Sequence, residues 1–237
     1  RRGDRLPDLR AALNASCDAE RADLLEAREA LAKQAVALIE RRGTWIATLS
    51  ASTAIAAALI EAKHRGLEPR VLLAEGRPRY EGRAMAAALG AAGIPVWLVV
   101  DAALPLLLSQ TGMVWLGADA VTEQGVINKI GSFAASLAAR EHSVPVWAVA
   151  GRRKFLPGTT EALRIAQQPP SEVWETPAPG VEPRNVYFEL VPLPLVYKER
   201  APGLGRMVSG NVDLTGDCVV DLVVSAPHGG IGEISAA

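Results

Sequence analysis

Three side chains in the middle of the chain have the types and order that ligand chemistry needs: Asp119, Asn128 and Lys129. Asp119 stands just past a short apolar run, Val114-Trp115-Leu116, which Gly117 stops. A carboxylate there could exchange a proton with a bound molecule, or it could simply shape a turn. Asn128 can pair with hydroxyls and Lys129 can supply charge to a phosphate, although the pair also suits a plain polar turn. Gly131 and Ser132 then open a helix through Arg140, with Phe133, Leu137 and Ala138 apolar at helical spacing. In an open parallel sheet, ligands sit beyond the carboxyl ends of the strands, where helix N-termini receive anions. The order strand, polar crossing, helix is therefore site-like.

Further polar groups also follow strands. Trp45–Leu49 reads as a strand, and Ser50-Ala51-Ser52-Thr53 begins a helix that runs to about His64. Ser50 and Ser52 either cap free backbone N–H groups, at roughly 1 kcal/mol each, or hold a sugar hydroxyl or phosphate. Arg70–Ala74 is the next strand, and the loop after it carries Arg77, whose guanidinium fork suits a phosphate or carboxylate. The alternative is a surface loop in which Arg77 pairs with Glu75 or Glu81. A helix follows from Arg83 to about Ala92, and a third strand spans Pro95–Val100. Asp101 then caps the short helix Ala102–Gln110 or faces the same end of the sheet. Beyond a strand at Val144–Ala148 come Arg152-Arg153-Lys154-Phe155. Three successive cations usually form a solvated face, and Lys154 is the one expected to turn into a cleft.

These groups need a sheet to hold them. Short apolar strands alternating with helices indicate an α/β fold: a mostly parallel, Rossmann-like sheet with helices on both faces. A short helical N-terminal region precedes it, from Leu9 to about Arg42, capped by Asp8 and ended by Gly43. Leu24, Ala27, Leu31, Ala35 and Leu38 recur at three and four residues and should face the core. The expected organisation is residues 1–43 helical, 44–197 the Rossmann-like domain, and 198–237 an extension with a strand candidate at Cys218–Val224. Residues 156–184, rich in Pro, Gly and Glu, read as an irregular excursion.

Composition narrows the partners. A net charge of −1 gives no reason to expect nucleic acid or a membrane surface. Cys17 and Cys218, the two cysteines, have neither metal spacing nor a disulfide framework, so a reducing cytoplasm is the default and no metal is expected. Cys218, amid Val and Leu, should be a buried thiol. No apolar run reaches the roughly 18–20 residues of a membrane span, and no signal peptide stands out. The sequence begins at Arg1, so its first residue is not taken as the natural start. No P-loop and no Gly-x-Gly-x-x-Gly fingerprint occurs, and no cofactor is expected.

The stretch GADAV, a Gly turn, then VINKIGSFAASLAA resembles the signature of the initiation factor 2B alpha/beta/delta subunit family. That family also holds methylthioribose-1-phosphate isomerase and ribose-1,5-bisphosphate isomerase. The resemblance runs from about Trp45 to Val196. It implies a sugar-phosphate or nucleoside-monophosphate pocket, a homodimer and possible protein partners. Asp119 matches the isomerases' acid/base residue, and Asn128 and Lys129 match sugar-phosphate positions. Glu75, Arg77, Pro78 and Gly82 fit a Glu-x-Arg-Pro…Gly motif, with Glu81 where the isomerases commonly carry a sugar-holding Gln. Asp101-Ala102-Ala103 resembles another element at this end of the sheet, and Asn185–Pro192 the closing strand, in which Glu189 anchors a loop. Two departures weigh against turnover. Ser50 stands at the active-site cysteine position, and a hydroxyl holds its proton far more firmly than a thiol. The helical region that carries part of the isomerases' phosphate site is also shortened. The resemblance thus implies a regulatory or binding subunit, with an aldose–ketose isomerase as the alternative.

Overall fold

The computed structural model describes residues 5–156, 167–196 and 222–225. Strands β1 (Trp45–Leu49), β2 (Arg70–Ala74) and β4 (Met113–Leu116) are apolar and almost wholly buried, as strands covered on both faces must be. With β3 (Val96–Val99) and β7 (Val146–Ala150) they form a parallel sheet. Strand β9 (Leu222–Ser225) pairs antiparallel with β7, so the order is β3-β2-β1-β4-β7-β9. The expected α/β, mostly parallel fold is what the chain adopts. The strand candidate in the C-terminal extension is this edge strand, while Cys218 lies outside the described residues.

Helices cover both faces. On one, α1 (Arg5–Val36), α2 (Thr53–His64) and α3 (Glu81–Ala91) enclose a core that includes Leu31, Ile55, Leu59 and Leu89. On the other, α4 (Leu104–Leu107) and α5 (Ser132–Glu141) pack over Val114, Leu116 and Ala148. A second, three-stranded antiparallel sheet was not foreseen. It joins β5 (Ala120–Val121), β6 (Gly125–Lys129) and β8 (Phe188–Pro192), and it is what carries Asn128 and Lys129. Its strands are two to five residues long, too short for period-two alternation to show.

Three local readings need correction. Helix α1 ends at Val36 rather than near Arg42, and three tight turns (Ala37 to Gln34, Leu38 to Ala35, Ile39 to Val36) lead on to Gly43. It also begins before Asp8, which therefore does not cap it. Its buried apolar contacts with the body of the protein begin only at Leu31, although Glu20 also pairs with Arg153. Leu31, Ala35 and Val36 are buried, whereas Leu9, Leu13, Leu24 and Leu25 are exposed because the sheet layer does not extend beneath them. On α5 the buried stripe is Ser132, Ala135, Ser136 and Ala139, not the stripe through Phe133, which is exposed. Serines can take the inner face because their hydroxyls donate to backbone carbonyls, Ser132 to Lys129 and Ser136 to Ser132. The last parallel strand is Val146–Ala150, two residues later than expected, because Pro145 accepts from the Val114 N–H but has no N–H of its own to donate to the ladder.

Leu59 is fully buried between α2 and its neighbours, so Leu59→Ala should cost about 2–5 kcal/mol in urea unfolding. Leu13→Ala, on the exposed half of α1, should change stability by less than about 0.5 kcal/mol. Equal losses would mean that α1 packs along its whole length.

Candidate functional site

Because β1, β2 and β4 run parallel, the segments leaving them emerge at one edge of the sheet. Ser50 follows β1 directly. It is buried, sits at φ +59°, and donates its backbone N–H to Ala74 at the end of β2. A left-handed serine is uncommon and stores local strain, which tends to occur at functional sites. Gly76 packs against it so closely that a Cβ there would lie 3.0 Å from the Ser50 Cα. Ser52, two residues on, accepts from the Ile55 N–H at 3.3 Å and caps α2, as the capping reading anticipates. Its side chain also faces Gly117 after β4, and a Cβ on Gly117 would meet both Ser52 and Asn128 Oδ1 within 3.4 Å. Ser50, Ser52, Gly76, Gly117 and Asn128 therefore form one contiguous floor.

Asp101 has a role that capping does not describe. Its two carboxylate oxygens accept from the backbone N–H groups of Gly76 (2.8 Å) and Arg77 (2.6 Å). It braces the loop after β2 and makes no cap bond to its own helix. Arg77 pairs with neither Glu75 nor Glu81, contrary to the surface-loop alternative. Its guanidinium donates to the Tyr80 hydroxyl at 2.5 Å and lies over the Tyr80 ring, and its head is exposed. Glu75 is taken by Arg83 at 2.8 Å. Gly82 is dictated by packing. A Cβ there would fall 2.3 Å from the Ala74 carbonyl oxygen, so only glycine lets α3 start against β2.

The tightest polar cluster centres on Lys129. The side chain is buried, and its ammonium lies 3.0 and 3.2 Å from the two oxygens of Glu81. The ring of Tyr187 sits beneath, 3.2 Å from Nζ to centroid, and its hydroxyl donates to Glu81. Burial pushes the Lys129 ammonium below its ordinary range, while Glu81 opposes that shift. For Glu81 burial acts upward, yet the bonds from Tyr187, from its own backbone N–H and from Lys129 together hold its carboxyl below the ordinary range. Burial and Glu81 push the Tyr187 phenol well up, so it stays a donor. Tyr187 is a site residue that sequence reasoning missed. It lies inside the Asn185–Pro192 stretch, and its only signal was an aromatic beside the closing strand.

Asn128 is buried and donates to Ser132 Oγ at 2.8 Å, which leaves its carbonyl oxygen toward Ser52 and Gly117. Asp119 is exposed at the rim. The protein around it still removes enough water to raise its carboxyl above the ordinary value, with Lys154 and then Lys129 pulling the other way. Lys154 is thus placed within electrostatic reach of Asp119. It also lines a cavity of about 620 Å³ together with Arg21, Leu24 and Arg28 of α1 and Thr53 of α2. That cavity neighbours the floor without including Asp119 or Lys129. The N-terminus of α5 was a candidate anion site, but the chain supplies its own anion: Glu189 accepts from the Phe133 N–H at 2.8 Å. Glu189 was expected to anchor a loop, and it holds the first turn of α5 instead. Among the described residues no group of three or more His, Cys, Asp or Glu could hold a metal ion.

An open, mostly parallel α/β sheet with hydroxyls, an amide and a buried ammonium gathered at the carboxyl edge of its strands is a Rossmann-like fold with its polar cluster at the edge where such folds take ligands. The chain belongs to the Initiation factor 2 subunit family (IF-2B), whose profile matches residues 10–224. It is similar to the ribose 1,5-bisphosphate isomerase of Pyrococcus furiosus, 35% identical over 158 residues, which is 63% of this chain and 49% of the relative. It is 33% identical over 169 residues to a putative translation initiation factor eIF-2B subunit 2-like protein of the same organism, covering 70% of this chain and 59% of that one. Among solved structures, the Pyrococcus horikoshii OT3 translation initiation factor eIF-2B superposes with a TM-score of 0.67 at 27% identity, covering 74% of this chain and 62% of the other. The chain spans roughly half to three-fifths of the length of these two curated relatives. Among the described residues no helix is long and apolar enough to cross a membrane.

Asp119 yields a signed pH prediction. Its folded-state carboxyl titrates above its unfolded value, so the folded state holds the proton more tightly and stability falls as pH rises between the two values. Asp119→Asn should therefore raise the melting midpoint at neutral pH, and the gain should vanish below the ordinary carboxylate range. A gain that persists unchanged in acid would assign the effect to something other than ionisation.

Proposed function

We propose that the chain is an initiation-factor-2B-type binding or regulatory protein whose pocket takes a sugar phosphate or nucleoside monophosphate. The observation that carries this reading is the convergence of Ser50, Ser52, Asn128 and the Lys129–Glu81 pair at one sheet edge, with Asp119 and Lys154 at its rim. Hydroxyls and the amide would hold the sugar, while the exposed heads of Lys154 and Arg77 would meet the phosphate. The same reading has the protein as a cytoplasmic homodimer with protein partners, as the similarity to translation initiation factor relatives suggests.

Ser50 is the reason to favour binding over turnover. Proton transfer between C1 and C2 of a sugar requires an acid and a base on the two sides of the reacting carbons. Ser50 is fixed at φ +59°, and among the described residues no imidazole or amine bonds to its hydroxyl. His64 and His142 close α2 and α5 at the far end of the sheet from the floor. The isomerase reading draws on one specific feature, the raised carboxyl of Asp119, which suits an acid/base group.

A thermal-shift titration with ribose 5-phosphate and adenosine monophosphate separates these ideas. Ligand at about a hundred times its Kd should stabilise the protein by about 2.7 kcal/mol, and Lys154→Ala with Arg77→Ala should weaken that shift. No shift with either ligand would refute the pocket. Conversion of ribose 1,5-bisphosphate or methylthioribose 1-phosphate to a ketose product would replace the binding reading with the isomerase one.

A further inference from the structure

We propose that Glu81 restricts the pocket to ligands carrying a single phosphate group, because it neutralises the buried ammonium that a second phosphate would need. This inference rests on the sugar-phosphate reading above and names which members of that class enter.

Lys129 is the most deeply placed cation of the site, with only 4% of the residue exposed. Both oxygens of Glu81 face its ammonium at 3.0 and 3.2 Å, and the Tyr187 ring covers another side at 3.2 Å. The phenol of Tyr187 donates to the same carboxylate and steadies it. A phosphate approaching Lys129 would meet Glu81 first, and like charges in a partly dry site repel strongly. Sugar hydroxyls have no such difficulty, since Glu81 accepts from them and Asn128 lies on the adjoining floor. Arg77 and Lys154 are exposed at the rim, and the Arg77 guanidinium, though it donates to the Tyr80 hydroxyl and the Val173 carbonyl, pairs with no carboxylate among the described residues. Arg79 and Arg83 are already turned to Glu172 (3.8 Å) and Glu75 (2.8 Å). That distribution serves one phosphate at the mouth and hydroxyls at the depth.

Isothermal titration with ribose 5-phosphate and ribose 1,5-bisphosphate tests this. The wild type should bind the monophosphate about tenfold or more tightly than the bisphosphate. Glu81→Gln keeps the shape and the acceptor for Tyr187 but removes the charge. It should shift that ratio by about tenfold toward the bisphosphate, and adding Lys129→Met should cancel the shift. Wild-type protein that binds the bisphosphate as tightly as the monophosphate would overturn the inference, and this arm stands even if the variant does not fold. A folded Glu81→Gln protein with an unchanged ratio would overturn it too, leaving the sugar-phosphate reading intact. No binding of either sugar by either protein would overturn both.

Discussion

A buried ammonium must be paired, and that requirement at Lys129 ties the molecule together. Lys129 ends a strand of the small sheet, Glu81 begins the helix between β2 and β3 of the main sheet, and Tyr187 lies just before the closing strand. Their mutual contacts join three separate segments at one point. Removing one partner of such a pair typically costs about 3–5 kcal/mol, because the remaining charge is left in low dielectric. The pair also fixes where Asn128 sits, one residue away on the same strand, and so fixes the floor shared with Ser52 and Gly117. Fold and site meet in this interaction.

The same edge holds more order than ligand contact alone would require. Asp101 reaches across from the loop after β3 to hold two N–H groups of the loop after β2. Gly82 lets α3 approach the β2 backbone, Gly76 lets the chain pass over Ser50, and Ser50 accepts an unfavourable φ to stay there. Burial around Asp119 and Lys129 displaces both titrations from their ordinary values. The left-handed backbone of Ser50 lies at the same edge as the burial-shifted Asp119, Lys129 and Tyr187, a combination that suits a prepared site. Among the described residues no base bonds to the Ser50 hydroxyl, which is why the proposed reading is binding rather than turnover.

Most of the main sheet was legible in sequence because fully buried strands are simple apolar runs. Trp45–Leu49 and Arg70–Ala74 match to the residue. The second sheet was not legible, since its pairing partners lie about sixty residues apart in β6 and β8 and pattern alone does not reveal long-range pairing. Helix α1 shows a different failure: its apolar spacing was real, but spacing cannot say how far the supporting layer extends. At the site, the polar types were visible and their partners were not. Glu81 was read as standing where the isomerases carry a sugar-holding Gln, and nothing in the sequence signalled that the fold brings Lys129 to it from forty-eight positions away. Asp101 looked like a cap because capping is local, and its real partners are 24 and 25 residues distant.

The most direct test is a crystal structure of the protein with ribose 5-phosphate bound. The account predicts the sugar hydroxyls on Glu81 and Asn128, the phosphate at Lys154 and Arg77, and the Lys129–Glu81 pair still closed. A ligand whose phosphate replaces Glu81 on Lys129, or one lodged in the neighbouring cavity between α1 and Lys154 with the floor left bare, would contradict it.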